Sequence, residues 1–349
     1  MKILRLSLSL KNIIYYVIFI LILSTCKAAP EISETPPATA ELIIPEHTIT
    51  GINTTVNLQC DPQITESNSA DRYEWQLIKP EGSEASLTAD QSNASVTLDD
   101  TEGYYIIKLT IYKNDACTGI NYAYIGTPSV VHYIRAGATG ADTGTDWTNA
   151  WKELPADLVR GHTYYIADGT YPAYNCTTTT EDIIPVYIKK ATAPDHGTGT
   201  GWNNDTMGAG QAVFTDTDNY PPFSVNASYI VIDGQAGKEK GDAEQYGFVF
   251  SNSSTVNKYG FLAGNRNGVA AAISNIKLKH SEIINTSEGG RGFQVHGTVT
   301  SCTNLLIHSC YIHDTKSVPV YFASTAYSIV EYCYIARNHS DSVDHGEGL

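Results

Sequence analysis

The chain has 349 residues, of which 42% are hydrophobic and only 17% charged, and its 22 Lys and Arg face 37 Asp and Glu for a net charge of −15. That length allows two or three domains, and the apolar content is enough for a sizeable core. No Lys/Arg cluster lies beyond the first eleven residues, which argues against nucleic-acid binding and leaves any polyanionic substrate to local cations or a bridging metal.

Lys2, Arg5 and Lys11 precede an apolar run over residues 13–23, too short for a comfortable membrane span. The run ends in Leu23-Ser24-Thr25-Cys26. Residues 1–26 resemble a bacterial lipoprotein-type signal peptide, in which the Cys after a small residue is lipidated and becomes the mature N-terminus. Thr25 stands where Gly, Ala or Ser is usual. The resemblance implies lipidation of Cys26 and an exported chain at the cell surface or outer membrane, touching the membrane only through its lipid. Plain secretion, with cleavage near Ala28-Ala29, is the alternative. Residues 27–43 are rich in Pro, Thr and Ala and read as a tether.

Over 44–128, apolar residues alternate with polar ones: Val56, Leu58, Cys60; Tyr73, Trp75, Leu77; Val96, Leu98; and Tyr105, Ile107, Leu109, Ile111. Turn signals such as Lys79-Pro80-Glu81-Gly82 separate these short half-buried strands. The pattern predicts a β-sandwich with a core Trp on an early central strand. Asp100-x-x-Gly103-x-Tyr105 has the form of a tyrosine corner. The segment resembles PKD-type immunoglobulin-like modules, which implies a spacer or a carbohydrate-proximal binding unit. Cys60 and Cys117 share this domain, and a disulfide between them is compatible with an exported chain.

Residues 131–349 carry a repeat. Ile276-Lys-Leu278-Lys-His-Ser281-Glu-Ile283 returns as Leu305-Leu-Ile307-His-Ser-Cys310-Tyr-Ile312 and as Ser328-Ile-Val330-Glu-Tyr-Cys333-Tyr-Ile335. Period two inside each copy, with copies 29 and 23 residues apart, predicts a parallel β-helix. Ser281, Cys310 and Cys333 then stack as a column of small buried side chains. Residues 147–158 predict a short helix, capped by Thr145 or Asp146, that covers the first coil. A strand follows over 163–166, with further coils at Tyr229-Ile-Val-Ile-Asp233-Gly and Gly247-Phe-Val-Phe250-Ser. The stretch from Tyr133 resembles the N-terminal cap and first coil of right-handed parallel β-helix proteins of the pectate-lyase-like superfamily, a fold that hosts many chemistries. The expected fold class is therefore all-β, an immunoglobulin-like sandwich followed by a right-handed parallel β-helix. No cap follows the last repeat, so the β-helix is expected to be C-terminally truncated.

The same register turns Lys279, His308 and Glu331 outward in one column, with Asp233 on the coil before. Polysaccharide lyases of this fold use such a face: a cation or a metal, calcium among them, neutralises a uronate carboxylate, and a Lys, Arg or His removes the C5 proton. A solvated face of mutually compensating charges explains the column equally. Arg291 and His296 lie between two repeats, where such enzymes grow substrate loops, and Tyr311 and Tyr334 share an outward column on which sugar rings can stack. His296-Gly297 and His345-Gly346 echo the His-Gly of polygalacturonases, without its paired aspartates. Asp344, His345 and Glu347 form either a metal cluster or a turn. The expected function is an exported surface protein that binds or cleaves extracellular polysaccharide or cell-surface glycan. The alternative is a non-catalytic adhesion protein with the β-helix as a stalk.

Overall fold

The computed structural model describes residues 47–60, 70–179, 183–217, 220–237, 246–255, 258–264, 272–295, 302–323 and 325–338. The chain divides into two compact units, Met1–Thr127 and Pro128–Leu349.

The first unit contains strands β1 (His47–Ile49), β2 (Thr55–Gln59), β3 (Arg72–Ile78), β4 (Ser86–Asp90), β5 (Asn93–Thr97), β6 (Tyr104–Lys113) and β7 (Ala116–Gly126). They form two sheets, ordered β1-β7-β6-β3 and β2-β5-β4. Among the described residues only the β1–β7 pair is parallel. Between β6 and β7 stands a two-residue loop, Asn114-Asp115, with φ of 51° and 62°. These residue types tolerate the left-handed region that a tight hairpin of this twist demands. Leu58, Val96, Leu98, Tyr105, Ile107 and Ile125 make the core. The Tyr105 hydroxyl donates to the Thr101 carbonyl at 2.7 Å, turning the chain into β6.

One expectation for this unit needs correction. Trp75 is half-buried, because β3 pairs with β6 alone and ends its sheet among the described strands. Its indole N–H instead donates to the Gln91 carbonyl at 2.8 Å, reaching the β4–β5 turn of the other sheet. Cys60 packs with Leu109 and Ile111, while Cys117 lies opposite Tyr112 near the β6–β7 turn.

The second unit opens with a 3-10 turn, Pro128–Val130, and is built from three parallel sheets. Sheet A stacks β8 (Val131–Ile134), β9 (Thr163–Ile166), β12 (Val186–Lys190), β15 (Ile230–Asp233), β18 (Ser274–Lys279) and β21 (Cys302–His308), and then β24 (Thr325–Ala326) and β25 (Ile329–Glu331). Sheet B stacks β10 (Gly169–Tyr171), β13 (Ala212–Thr215), β16 (Phe248–Asn252), β19 (Ser281–Asn285), β22 (Tyr311–His313) and β26 (Tyr334–Ala336). Sheet C stacks β11 (Tyr174–Cys176), β14 (Phe223–Val225), β17 (Tyr259–Ala263), β20 (Arg291–Val295) and β23 (Val320–Phe322). From β9 onward the chain takes one strand from each sheet in turn and returns to sheet A one rung further on. This stacking of parallel sheets is compatible with a β-helix-like fold.

Alternate residues of each strand point inward and meet their counterparts on the next rung. Ile188, Ile232, Leu278 and Ile307 fill one such column, all fully buried. Phe223, Phe261 and Phe293 fill another, their rings nearly parallel with centroids 5.5 and 5.1 Å apart, and Tyr171, Phe214 and Phe250 a third, at 5.4 and 5.8 Å. Ser281 and Cys310 are fully buried, and Cys333 packs against the same core one rung on. On the preceding rung this slot holds Phe248, so the small side chains begin only at β19.

Corners repeat as the strands do. Tyr229, Asn275, Asn304 and Tyr327 occupy one position on successive rungs, all with φ between 53° and 57°. Asn tolerates this region, and the Asn304 amide also donates to Asn275 Oδ1 at 3.3 Å. After sheet B, the buried Asn285 amide donates to the carbonyls of Lys258 and Arg291, and its Oδ1 accepts the Ser287 N–H. It thereby satisfies a corner that has no ladder partner.

The helix expected over 147–158 does not form. Trp147, Ala150, Leu154 and Leu158 are all buried, which gave them helical spacing. Pro155 disfavours helix at the residue before it, and the backbone makes isolated bridges instead, Trp151 with Ile134 and Leu158 with Thr178. Asp146 does cap a turn, accepting the Asn149 N–H at 2.8 Å. Among the described residues the one α-helix is α1 (Asn204–Met207), a single turn capped by Asn203.

Candidate functional site on the outer face of sheet A

Outward positions of sheet A form a continuous column. Tyr133, Tyr165, Lys189, Asp233, Lys279, His308 and Glu331 are register partners on successive rungs. The structure thus brings Lys279, His308 and Glu331 side by side, about 5 Å apart along the ladder. The charges alternate from Lys189 through Asp233 to Lys279, and His308 then separates Lys279 from Glu331.

Most of these groups are committed to neighbours. The Lys189 ammonium is bonded to the Asp195 carboxylate and sits 5.5 Å from the Tyr165 ring centre. The buried Tyr165 hydroxyl also donates to Asp195, and burial raises its pKa. Asp233 Oδ1 lies 2.7 Å from His280 Nδ1 and accepts the Gln235 N–H at 2.8 Å. Burial pushes the Asp233 carboxyl up, but those hydrogen bonds and the Lys279 charge outweigh it, and its pKa is lowered.

Lys279 differs: among the described residues its ammonium has no carboxylate at ion-pair distance. His308 next to it is 31% exposed, with Nε2 3.9 Å from Glu331 Oε1, too far for a hydrogen bond. Burial lowers the His308 pKa; His280 and Lys279 push the same way and Glu331 opposes them. The ring is therefore neutral at neutral pH, with Nε2 towards Glu331, beside an uncommitted cation. Such a pair can hold a substrate carboxylate and accept a proton from the carbon next to it.

The column does not suit the calcium ion expected for a lyase. Its carboxylates, Asp233 and Glu331, lie three rungs apart with Lys279 and His308 between them, and Asp233 is occupied by His280. Calcium needs several oxygens converging on one point. Among the described residues, no group of three His, Cys, Asp or Glu is placed to hold a metal.

The other expected site residues are dispersed. Arg291 stands on sheet C, donating to Gln294 Oε1 at 2.8 Å with its guanidinium 4.7 Å over the Tyr321 ring. Tyr311 and Tyr334 do stack in one column, with ring centroids 5.3 Å apart. Tyr311 is 1% exposed, so only Tyr334 offers a face to a sugar. Cys26, His296, Asp344, His345 and Glu347 lie outside the described residues.

A second polar cluster escaped the sequence reading. On sheet B, His313 Nε2 lies 2.7 Å from Glu282 Oε1, and its Nδ1 lies 2.8 Å from Asp314 Oδ2. Arg337 donates to Asp314 and to the Tyr311 hydroxyl, each at 2.7 Å. Glu282 and His313 are almost wholly buried. The signal was present: Glu282 shares the outward column of Tyr311 and Tyr334. At the corner between sheets A and B, a cleft of about 510 Å³ is lined by Lys190, Gln211, Tyr246 and the glycines 208, 210, 237 and 247. Lys190 is fully committed there, 2.7 Å from Asp168 and donating to the Met207 carbonyl.

No family model matches the chain, and no curated protein matches it. Among solved structures it is similar to a 2,6-sialyltransferase from the Vibrionaceae Photobacterium sp. JT-ISH-224, at 11% identity and a TM-score of 0.19. That match covers 54% of this chain and 40% of the other. A likeness this slight carries no argument about fold or function.

Proposed function

We propose that the chain is an exported cell-surface protein that binds or cleaves an extracellular polysaccharide or cell-surface glycan along the outer face of sheet A. In this reading the second unit is a right-handed parallel β-helix of the pectate-lyase-like superfamily. Supporting this is the regular return of the chain to each parallel sheet, since parallel crossovers are right-handed in about 98% of cases. The first unit is a PKD-type immunoglobulin-like sandwich, supported by its two sheets and the Tyr105 corner. Cys26 is the site of a lipid anchor and residues 27–43 are the tether.

The observation that carries the proposal is Lys279, an uncommitted cation, next to the neutral imidazole of His308. On a polyuronate, Lys279 pairs with the sugar carboxylate and His308 Nε2 takes the C5 proton. Glu331 steadies the imidazolium that results. The C4–O bond then breaks as the C4–C5 double bond forms, and the departing oxygen takes up a proton from water, leaving an unsaturated sugar.

A stalk or adhesion role without catalysis is favoured by a different observation. Lys189–Asp195 and Asp233–His280 are already internally compensated, as on a surface that merely stays solvated. The two readings separate in one experiment. The full chain is incubated with pectate, alginate and chondroitin, with and without calcium, and ultraviolet absorbance of the unsaturated product is followed alongside binding by affinity electrophoresis. Product formation on one polymer supports the lyase reading. Neither product nor retardation on any of them removes the polysaccharide proposal.

A further inference from the structure

Cys310 and Cys333 are register neighbours in the inward column that begins at Ser281. Tyr334 donates its N–H to the Cys310 carbonyl at 2.8 Å, and Cys310 donates its own N–H to Cys333 Sγ at 3.4 Å. The second sulfur thus sits directly over the first residue's backbone. Each thiol has two carbonyls within reach of its one proton, that of the residue two before it and one on the preceding rung: His308 and Leu278 for Cys310 Sγ, Glu331 and Ile307 for Cys333 Sγ. One strand spacing, about 4.8 Å between backbones, falls within the Cα separation of about 4.4–6.8 Å that a disulfide spans.

We propose that Cys310 and Cys333 are a dithiol–disulfide couple that staples the last two described rungs when the protein meets an oxidising disulfide. The order of events follows from accessibility. Cys310 is fully buried, whereas Cys333 is partly exposed, so an incoming disulfide meets Cys333 first. The Cys333 thiolate attacks one sulfur of the oxidant, the oxidant's S–S bond breaks, and one of its thiolates leaves with the Cys333 proton. Cys310 then gives up its proton and attacks the Cys333 sulfur, expelling the second thiolate. Two protein thiols are oxidised by two electrons in all, and one small-molecule disulfide is reduced to two thiols. The thiol acidities agree with these roles. Burial and the Cys333 contact raise the Cys310 pKa, while the hydrogen bond from Cys310 lowers that of Cys333, which makes Cys333 the better nucleophile.

This inference is independent of any action on polysaccharide. The other cysteines have different surroundings: Cys176 is fully buried in the core and Cys302 lies at the start of β21, opposite Thr325.

The test treats the native full chain with oxidised glutathione, alkylates remaining thiols under denaturing conditions, and maps the peptides by mass spectrometry. The expected product is a cross-linked pair of peptides containing Cys310 and Cys333, reversed by reductant and accompanied by a rise in Tm. The Cys310→Ser variant should retain glutathione on Cys333, because the resolving thiol is gone. If both cysteines of the wild-type chain are recovered alkylated, or Cys333 carries glutathione that Cys310 never displaces, the proposal is overturned.

Discussion

His308 can act as a base only while its ring is unprotonated, and its surroundings secure that state. Because burial lowers its pKa, the acid limb of the rate–pH profile should lie below the ordinary imidazole value of about 6.5. Glu331 is the nearest group that pushes the other way, so Glu331→Gln should move that limb further into acid, as pH–rate profiles of the two proteins would show. His132 and His162 offer a stability counterpart. Their rings meet at 2.7 Å; burial, with His162 adding to it, lowers the His132 pKa to about 4, and burial lowers that of His162. An unfolded chain takes up these protons near pH 6.5 while the native one does not, so stability falls as pH drops from about 6.5 towards 4. Thermal melts at pH 7 and pH 5 should show this fall, reduced in His162→Gln. The outward column was legible residue by residue, because period two fixes facing once a single inward residue is placed. Glu282 was equally legible by register, as was His313 two residues after Tyr311; the cluster was missed because Asp314 and Arg337, which complete it, stand just past the ends of β22 and β26 and obey no such period.

At the level of elements, what repeats was readable and what occurs once was not. The three aligned copies gave β18, β19, β21, β22, β25 and β26 directly, since each places apolar residues at the same alternating positions. The end cap over 147–158 has no second copy to check it against. Its buried Trp147, Ala150, Leu154 and Leu158 fit a helix by spacing, and only Pro155 spoke against it. Trp75 failed for a related reason: alternation marks a strand but says nothing about its place in the sheet. The aromatic columns were hidden because Phe223, Phe261 and Phe293 stand 38 and 32 residues apart, separated by insertions of unequal length. Their packing carries an energetic prediction. Phe261 stacks between two rings and is fully buried, so Phe261→Ala should cost about 3–5 kcal/mol, read as a lower denaturant midpoint in chemical unfolding. A change within error would mean that the rings do not stack.

Taken whole, the molecule places its chemistry by winding. Each rung adds one outward side chain to the sheet A column, so residues 233, 279, 308 and 331 become neighbours although the chain travels 98 residues between the first and last. The repeat revealed this winding. It could not reveal the commitments around the column, because Asp195 and His280 sit at corners whose geometry no period describes. On the proposed reading, those commitments leave Lys279 and His308 as the pair that meets a substrate. The most direct test is the rate of unsaturated-product formation by the Lys279→Ala/His308→Ala variant, compared with wild type on the same polyuronate and with folding checked by Tm. Removing the cation and the base should lower turnover by at least about a hundredfold. An unchanged rate in a folded variant would contradict the assignment of this face.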